Sequence, residues 1–274
     1  GRVISLMKIC RKSDYEYFII APLSLMSTIK KRFTIYKLRA DVHLSEESEE
    51  YQIFAIVDEH GDKNFTSKFE AFGTEVFMFS DSFYNNQGKK YILITRKQYS
   101  ETVLTTITEK LQCNNKPESL WLTFEIREGI PWFTSELTET LLPQQINLDL
   151  IQAVSFTKGC YPGQEIVARM HYLGKPKRRS FLLVSHNSQL EKPTFIDGCP
   201  IRIYSKDISD EDEVGSLIAF SNYSFHPKEL TFYGLGEFDL RRITSLESNS
   251  FFIKSSKGVF DITLGTLPFQ NQII

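Results

Sequence analysis

Six short runs of β-forming residues follow one another in the C-terminal third of the chain, and they limit the fold more than any other feature. They read SFLLVS, PIRIYS, VGSLIAFS, LTFYGLGEF, SFFIKS and FDITLGTL, between residues 180 and 267. Gly, Asn, Asp and Pro separate the runs, and no segment among them has a convincing helical pattern. Such spacing is typical of a small antiparallel barrel. The sequence therefore predicts a C-terminal β-barrel domain over residues 177–274, with an exposed acidic hairpin loop at 207–213.

The preceding part of the chain interleaves strand-like and helix-like segments. Helical spacing follows Pro22 and recurs at residues 97–112, where Val103 and Ile107 fall on one face. Interleaving of this kind indicates an α+β domain with helices on one face of a sheet. We expect this domain to cover residues 1–176. The strand patterns lie at residues 2–10, 14–22, 33–44, 51–61, 75–80 and 89–96.

Charge and cysteine content exclude several classes of protein. The chain has 274 residues and a formal net charge of −2, so a nucleic-acid contact would need a local basic patch. Its cysteines are far apart and include no C-x-x-C pair, which argues against a disulfide framework and against a self-contained zinc or iron–sulfur site. No apolar run approaches the roughly 20 residues of a membrane span, and no signal peptide is visible. These features predict a reducing compartment, the cytoplasm. The four cysteines are Cys10, Cys113, Cys160 and Cys199.

The segment KGCYPGQEIVAR, residues 158–169, concentrates chemically distinctive side chains. Cys160 is expected just before the N-terminus of a helix and two residues from Lys158, and both neighbours favour an ionised thiolate. Such a cysteine is a candidate nucleophile, redox group or metal ligand. A turn with a buried structural cysteine is the alternative, because free cysteine is among the most buried residue types. A structural turn needs only Gly159 and Gly163, so the crowding of polar groups favours a functional role.

A basic patch follows the motif in the sequence GKPKRR. It can hold a phosphate, the glutamyl tail of a folate or an RNA backbone. A solvated linker between two domains explains the same residues equally well. The sequence leaves both interpretations open. The cations are Lys175, Lys177, Arg178 and Arg179.

The motif resembles the signature of the YgfZ family, folate-binding proteins related to the T-protein (aminomethyltransferase) of glycine cleavage. That signature is K-G-C-[FY]-x-G-Q-E followed by a basic residue. The segments SLWLTFEIREGIPWF and LLPQQINLDLIQAVSFTKGC also resemble the family. The resemblance implies a T-protein-like folate-binding α+β domain with a ferredoxin-like portion, followed by a C-terminal β-barrel. The family begins earlier than this chain, so we expect an N-terminal part to be missing.

The resemblance also implies a function. Such a protein supports the assembly or repair of iron–sulfur clusters in partner enzymes, including radical enzymes that thiolate tRNA, and it binds tetrahydrofolate or another folate. Cys160 is the residue implied to be essential, with Lys158 beside it. Trp121 matches a tryptophan that lines the family's folate site, and an indole suits stacking on a pterin ring; a core tryptophan is the alternative. The other folate contacts implied are Glu128, Tyr161, Gly163, Gln164, Glu165 and Arg169.

Two departures from the family pattern bear on activity. Relatives read I-E-A-G where this chain reads I-R-E-G at residues 126–129, and in a strand the neighbouring Glu128 would not replace a carboxylate at Arg127. The strand that aligns with the T-protein active site, Val3–Met7, has no carboxylate to assist aminomethyl transfer. The leading hypothesis is therefore a binding protein without classical turnover. A folate-dependent aminomethyltransferase-type enzyme and a tRNA-binding module that uses residues 175–179 are the alternatives.

Overall fold

The computed structural model describes residues 1–58, 65–82, 88–186, 201–207, 212–223, 225, 231–246, 250–255 and 258–273. The chain divides into two compact units. The first unit comprises Gly1–Leu6, Ala21–Met26 and Leu122–Ile274, and the second comprises Met7–Ile20 and Ser27–Trp121. The domain boundary expected after residue 176 precedes a barrel strand that begins at Arg178, and it stays a prediction. No helix among the described residues is both long and apolar enough to span a membrane.

The second unit contains two antiparallel β-structures. Strands β1 (Lys8–Arg11) and β2 (Tyr17–Ile20) pair as a hairpin around the polar turn that the sequence predicted. Strands β3 (Tyr51–Asp58), β4 (Val76–Ser82) and β5 (Lys89–Arg96) form a sheet in the order β3-β5-β4. These five strands confirm the corresponding sequence patterns, although β1 covers only the end of the predicted run. The strand expected at residues 3–7, which was aligned with the T-protein active site, is wrong, because these described residues form no strand.

A small core of aromatic and aliphatic side chains joins this sheet to a helix. Helix α2 (Ser100–Thr105) continues as a π-helical turn over Thr106–Lys110. Its buried Val103 and Ile107 are four residues apart and so lie on one face, as the spacing predicted. They share a core with Tyr91 and Leu93 of β5, and the Tyr91 ring stacks on Phe65 at 4.0 Å. This core therefore fixes helix α2 and its π-helical continuation against the three-stranded sheet.

The strand predicted at residues 33–44 is wrong. Helix α1 (Met26–Tyr36) continues through the first part of this run, and residues 37–50, all of them described, contain no strand. Ile29 and Phe33 are four residues apart, so the apolar positions also fit a helix. The hydroxyl of Thr34 donates to the backbone oxygen of Lys30 at 2.8 Å, one turn earlier. Leu38, which strand alternation placed inward, is 82% exposed.

The predicted antiparallel barrel is confirmed in the first unit. Strands β6 (Arg178–Ser185), β7 (Arg202–Ser205), β8 (Glu213–Asn222), β9 (Phe232–Asp239), β10 (Ser250–Ser255) and β11 (Gly258–Leu264) close in the order β10-β11-β6-β9-β8-β7. Pairing of β10 with β7 completes the closure. The acidic segment at 207–213 joins β7 to β8, and its residues 208–211 lie outside the described part of the chain, as does Cys199.

Side chains fill the barrel interior. Leu183, Ile203, Leu217, Leu235 and Ile253 come from five different strands, and each is 0% exposed. A small barrel packed in this way is a core and not a ligand cavity. The sequence missed one short helix, α5 (Leu240–Thr244), because a single turn of five residues carries little periodic signal. The side chain of Asp239 caps it by accepting a hydrogen bond from the backbone nitrogen of Arg241 at 3.0 Å.

Three further elements carry or support the sequence motifs, and the first of them begins in the second unit and ends in the first unit. Helix α3 (Glu118–Arg127) contains the tryptophan segment and ends in a turn at Gly129. A 3₁₀ turn over Pro143–Ile146 carries the P-Q-Q-I sequence. Helix α4 (Gln164–Tyr172) begins within the cysteine motif. The two stretches that resemble the family therefore contain most of helix α3 and the 3₁₀ turn, and the cysteine motif leads into helix α4.

Candidate functional site

A cavity of about 520 Å³ lies within the second unit. Strand β1 supplies four of its lining residues, strands β4 and β5 supply five, and Trp121 of helix α3 completes the wall. The volume falls within the range of small-molecule and cofactor sites in proteins. The lining residues are Lys8, Ile9, Cys10, Arg11, Met78, Phe79, Ser80, Lys90, Ile92 and Trp121.

Two lysines flank the indole of Trp121 in this cavity. The Nζ atoms of Lys8 and Lys90 each lie 5.8 Å from the centroid of the Trp121 ring, within cation–π range. Trp121 is half-buried, whereas Lys90 is only 2% exposed. An indole beside two ammonium groups offers a flat surface for a ring and positive charge for an anion.

The charge of the cavity wall is one-sided. Lys8, Arg11 and Lys90 are cationic, and none of the ten described lining residues is a carboxylate. Arg11 also pairs with Asp14 at 2.5 Å, but both side chains are well exposed, so water screens that pair. The cavity therefore suits a ligand that combines an aromatic ring with negative charge.

Cys10 is a cavity residue that the sequence reasoning did not single out. It is 8% exposed, and burial raises the pKa of its thiol, with Lys8 opposing the shift. The thiol is therefore protonated at neutral pH. Lys8 and Cys10 are two residues apart in β1 and so share a face of the strand. The spacing of Lys8 and Cys10, together with the later cation Lys90, was the only sequence signal that could have pointed to this cavity.

The cysteine motif forms a turn in the first unit. Gly163 has φ +80°, the left-handed conformation, and precedes helix α4. The side-chain oxygen of Gln164 accepts a hydrogen bond from the backbone nitrogen of Tyr161 at 3.2 Å, and the Lys158 Nζ lies 4.7 Å from the Tyr161 ring. Burial raises the pKa of the Tyr161 hydroxyl, and the charge of Glu165 adds to the shift. Gln164 and Gly163 thus shape the turn itself.

Cys160 is exposed at the surface of this turn. The exposure contradicts the alternative in which it is a buried structural cysteine, and it leaves the sulfur reachable by a partner. Glu165 and Arg169 are also exposed, and no ion pair joins them among the described contacts, although their spacing suggested one. Within the same part of the chain, no group of three or more His, Cys, Asp or Glu side chains is arranged to hold a metal ion.

Hydrogen bonds fix helix α4 to the 3₁₀ turn at Pro143–Ile146. The buried side chain of Gln144 donates from Nε2 to the backbone oxygen of Val167 at 2.8 Å. Gln145 donates from Nε2 to Glu237 in strand β9 at 2.7 Å, and Asn147 donates from Nδ2 to the backbone oxygen of Ser180 in β6 at 2.8 Å. The P-Q-Q-I-N sequence is therefore a clamp between the motif helix and the barrel.

Half of the predicted basic patch belongs to this clamp. Arg179 is 7% exposed and makes two bonds to the carboxylate of Asp149, at 2.6 and 2.9 Å. Arg178 donates to Glu237 at 2.5 Å. Only Lys175 and Lys177 are exposed cations of the patch. Both arginines have carboxylate partners within the chain, so the phosphate or RNA site that the sequence left open stays a prediction for the two exposed lysines.

The segment around Arg127 is helical, so the strand argument about Glu128 does not apply. Arg127 ends helix α3, and its guanidinium lies 5.3 to 5.9 Å from the centroids of three aromatic rings, those of Phe124, Phe225 and Tyr233. Glu128 is half-buried and follows the helix. Neither residue lines the described cavity, and no residue of the cysteine motif does. Of the predicted folate contacts, Trp121 is the one that the cavity includes.

Sequence comparison connects these features to known proteins, although no family model matches the chain. A tRNA-modifying protein YgfZ from Colwellia psychrerythraea is 33% identical over 202 residues, covering 70% of this chain and 59% of the relative. This chain is a relative of the YgfZ proteins. YgfZ of Aliivibrio fischeri is 32% identical over 127 residues, covering 46% of this chain and 36% of that protein. YgfZ of Buchnera aphidicola is 41% identical over 97 residues, or 35% and 27% of the two chains.

The aligned part spans less than two thirds of these YgfZ proteins. Among solved structures, the glycine cleavage system aminomethyltransferase T of Bartonella henselae resembles the chain with a TM-score of 0.64 and 9% identity. The match covers 98% of this chain and 72% of the other. At such low identity the likeness concerns the fold alone. It confirms the predicted T-protein-like α+β architecture with a C-terminal barrel.

Proposed function

We propose that the chain is a YgfZ-type folate-binding accessory protein that supports iron–sulfur enzymes, and through them tRNA modification. A folate, tetrahydrofolate in the first instance, binds in the cavity of the second unit. The observation that carries this proposal is the indole of Trp121, with the ammonium groups of Lys8 and Lys90 each 5.8 Å from its centroid. When bound, the folate supplies a one-carbon carrier.

The chemistry of the cavity fits a folate. A folate carries a flat pterin ring at one end, which stacks on an indole, and a glutamyl tail with carboxylates at the other end. The cations Lys8, Arg11 and Lys90 attract such carboxylates, and the described lining holds no acidic residue to repel them. The aliphatic and aromatic wall at Ile92 and Phe79 excludes water around the ring.

Cys160 is the second functional group of the proposal. Its exposure lets a partner protein approach the sulfur, and the ammonium of Lys158 is held nearby on the Tyr161 ring. Its role is to contact the iron or sulfur atoms of an enzyme's cluster, which are cargo and not a resident group of this chain. Cys10, Cys113 and Cys160 are free thiols, as a protein of the bacterial cytoplasm would have.

An aminomethyltransferase-type reaction is the second candidate, supported by the T-protein fold. That reaction needs a charged group beside the folate to stabilise the transferred fragment. The ten described residues around the cavity include no carboxylate that could serve. The composition of the cavity wall therefore favours binding without turnover.

Fluorescence with matched tryptophan variants tests folate binding. Titration with tetrahydrofolate should quench the wild-type emission, and Trp132→Phe, which keeps Trp121, should retain most of that quenching. Trp121→Phe should lose it, because Trp132 is absent from the cavity lining. Equal quenching in the two variants would remove the cavity assignment. Isothermal titration of both variants separates lost binding from lost signal.

Rescue in cells tests the role of Cys160. A bacterial strain without its own YgfZ should regain thiolated tRNA when it expresses the chain, and Cys160→Ala should abolish the gain. Cys113→Ala is the matched control, because Cys113 is half-buried and distant in sequence from the motif. If Cys160→Ala and Cys113→Ala rescue equally well, the thiol has no part in the function.

A further inference from the structure

Three aromatic side chains cluster at the end of the motif helix. The ring of Phe156 stacks on His171 with a centroid distance of 3.6 Å and an interplanar angle of 11°. Tyr172 meets both rings edge-on, with centroids 4.7 Å from His171 and 6.3 Å from Phe156. We call these three residues the α4 aromatic cluster. The three rings already contact one another in this structure.

The cluster is open to solvent. Tyr172 is 65% exposed, the adjacent Leu173 is 84% exposed, and His171 is exposed as well. The side of helix α4 that faces the protein core carries one buried residue, Val167. Packing of the core therefore does not explain why aromatic residues occupy the last positions of the helix.

The cluster lies in a strongly cationic stretch of an otherwise slightly acidic chain. Between residues 156 and 177 the only carboxylate is Glu165, and the chain as a whole has a net charge of −2. Four cations lie within five residues, along the chain, of a member of the cluster, and all are exposed. Exposed aromatic rings flanked by cations complement bases and phosphates. The cations are Lys158, Arg169, Lys175 and Lys177.

We propose that the α4 aromatic cluster and these cations bind single-stranded RNA. Unstacked bases add to the outer face of the His171 and Tyr172 rings, and the lysines and Arg169 neutralise phosphates on either side. A duplex keeps its bases stacked inside the helix and cannot use the rings. An acidic protein surface would use the cations but would gain little from a stacked aromatic pair, so RNA fits the surface better.

Binding of a fluorescent single-stranded oligoribonucleotide, followed by anisotropy, tests the proposal. The wild-type chain should bind it more tightly than the same sequence in a duplex. Tyr172→Ala should weaken single-strand binding about tenfold, the loss expected for one stacked base. Lys175→Ala with Lys177→Ala should lower the slope of log affinity against log salt by about 1.4, since each neutralised phosphate contributes about 0.7.

Matched variants show whether a change in RNA affinity comes from this surface or from the loss of any exposed tyrosine. Tyr15→Ala removes a tyrosine that is 95% exposed in the second unit, and it should leave RNA binding unchanged. Tyr172→Phe keeps the ring and should retain affinity, which assigns the interaction to the ring and not to the hydroxyl, and an unchanged thermal denaturation midpoint in Tyr172→Ala excludes misfolding. Quenching of Trp121 by tetrahydrofolate should be normal in all four variants, so failure here is distinct from failure of the folate proposal.

Three outcomes would overturn the proposal. They are equal affinity for single-stranded and duplex RNA, an unchanged affinity in Tyr172→Ala, or binding of a poly-glutamate peptide that displaces the RNA with higher affinity. The last outcome would identify the surface as a docking site for an acidic protein.

Discussion

Gln144 donates a hydrogen bond from its Nε2 to the backbone oxygen of Val167 over 2.8 Å, which joins the 3₁₀ turn at Pro143–Ile146 to the centre of helix α4. The backbone oxygen of the same glutamine accepts from Arg179 Nη1 at 2.9 Å. The position of the cysteine motif is thus set by buried polar contacts as well as by apolar packing. Buried polar contacts are costly to break, because each orphaned group has lost its water.

Loss of the carboxylate that pairs with Arg179 should strongly destabilise the fold. In Asp149→Ala the buried guanidinium would lose its two bonds of 2.6 and 2.9 Å, and we expect the free energy of unfolding to fall by about 3 kcal/mol. Urea denaturation measures this. The control is Glu213→Ala, which removes the exposed partner of Arg202 and should cost at most about 1 kcal/mol. Similar losses in both variants would contradict the structural role assigned to Arg179.

The two glycines of the cysteine motif should respond differently to alanine. Gly163→Ala should destabilise the protein by about 1–2 kcal/mol, since Gly163 has φ +80° and a methyl group there would overlap the backbone of Gly1. Gly159→Ala should have little effect on stability, because Gly159 does not have a positive φ and a methyl group would meet nothing within 4 Å. Thermal denaturation of both variants checks the difference. A larger loss in Gly159→Ala would mean that the turn has another conformation.

Thiol labelling should depend on pH and on folate in a residue-specific way. Burial raises the pKa of Cys10 and Cys113 above the ordinary value of 9.0, so both thiols stay protonated and react slowly at neutral pH. Their labelling by iodoacetamide should increase as the pH rises past 9.0, whereas the exposed Cys160 is labelled first. Mass spectrometry of the peptides measures each site.

Tetrahydrofolate should slow the labelling of Cys10, which lines the cavity, and not that of Cys113, which does not. The two thiols share the same cause of their raised pKa, so Cys113 controls for a general effect of folate on the reagent. Equal protection of both, or of neither, would argue against a ligand in this cavity.

Arg127 should contribute to stability and not to folate binding. Arg127→Ala removes a guanidinium that lies against three aromatic rings, and we expect a loss of about 1 kcal/mol in the free energy of unfolding. Arg127→Lys should lose less, because an ammonium keeps part of the cation–π attraction. Folate affinity should remain at the wild-type value in both variants. Weaker folate binding in Arg127→Ala would show that this position still belongs to the ligand site.

Arg127→Glu restores the residue type that the YgfZ pattern carries at this position. It should be less stable than Arg127→Ala, since a carboxylate is repelled by the electron-rich faces of the same rings. If Arg127→Glu instead raised folate affinity, the presence of arginine at this position would weaken folate binding in this chain.

Local patterns were sufficient to predict the barrel and the turn of the cysteine motif. The runs of β-forming residues in β6 and β9 and the turn residues between strands are encoded over a few neighbouring positions. The pairing of Arg179 with Asp149 and of Arg178 with Glu237 joins residues that lie 30 and 59 positions apart, so the sequence did not reveal that the two arginines of the basic patch have carboxylate partners. Residues 33–36 were ambiguous because their apolar positions fit both a strand and a helix. The choice between strand and helix depends on the elements that pack against the segment, and a short stretch of sequence does not show them.

The cavity unit is interrupted in the sequence. Residues 21–26 belong to the first unit, although chain on both sides of them belongs to the second, and Leu25 in this short return is 2% exposed. The unit that contains the cavity is consequently not a module that recombination or gene fusion could transplant by a single cut at either end. A protein engineered to carry this unit alone would have to bury Leu25 of residues 21–26 in a new environment.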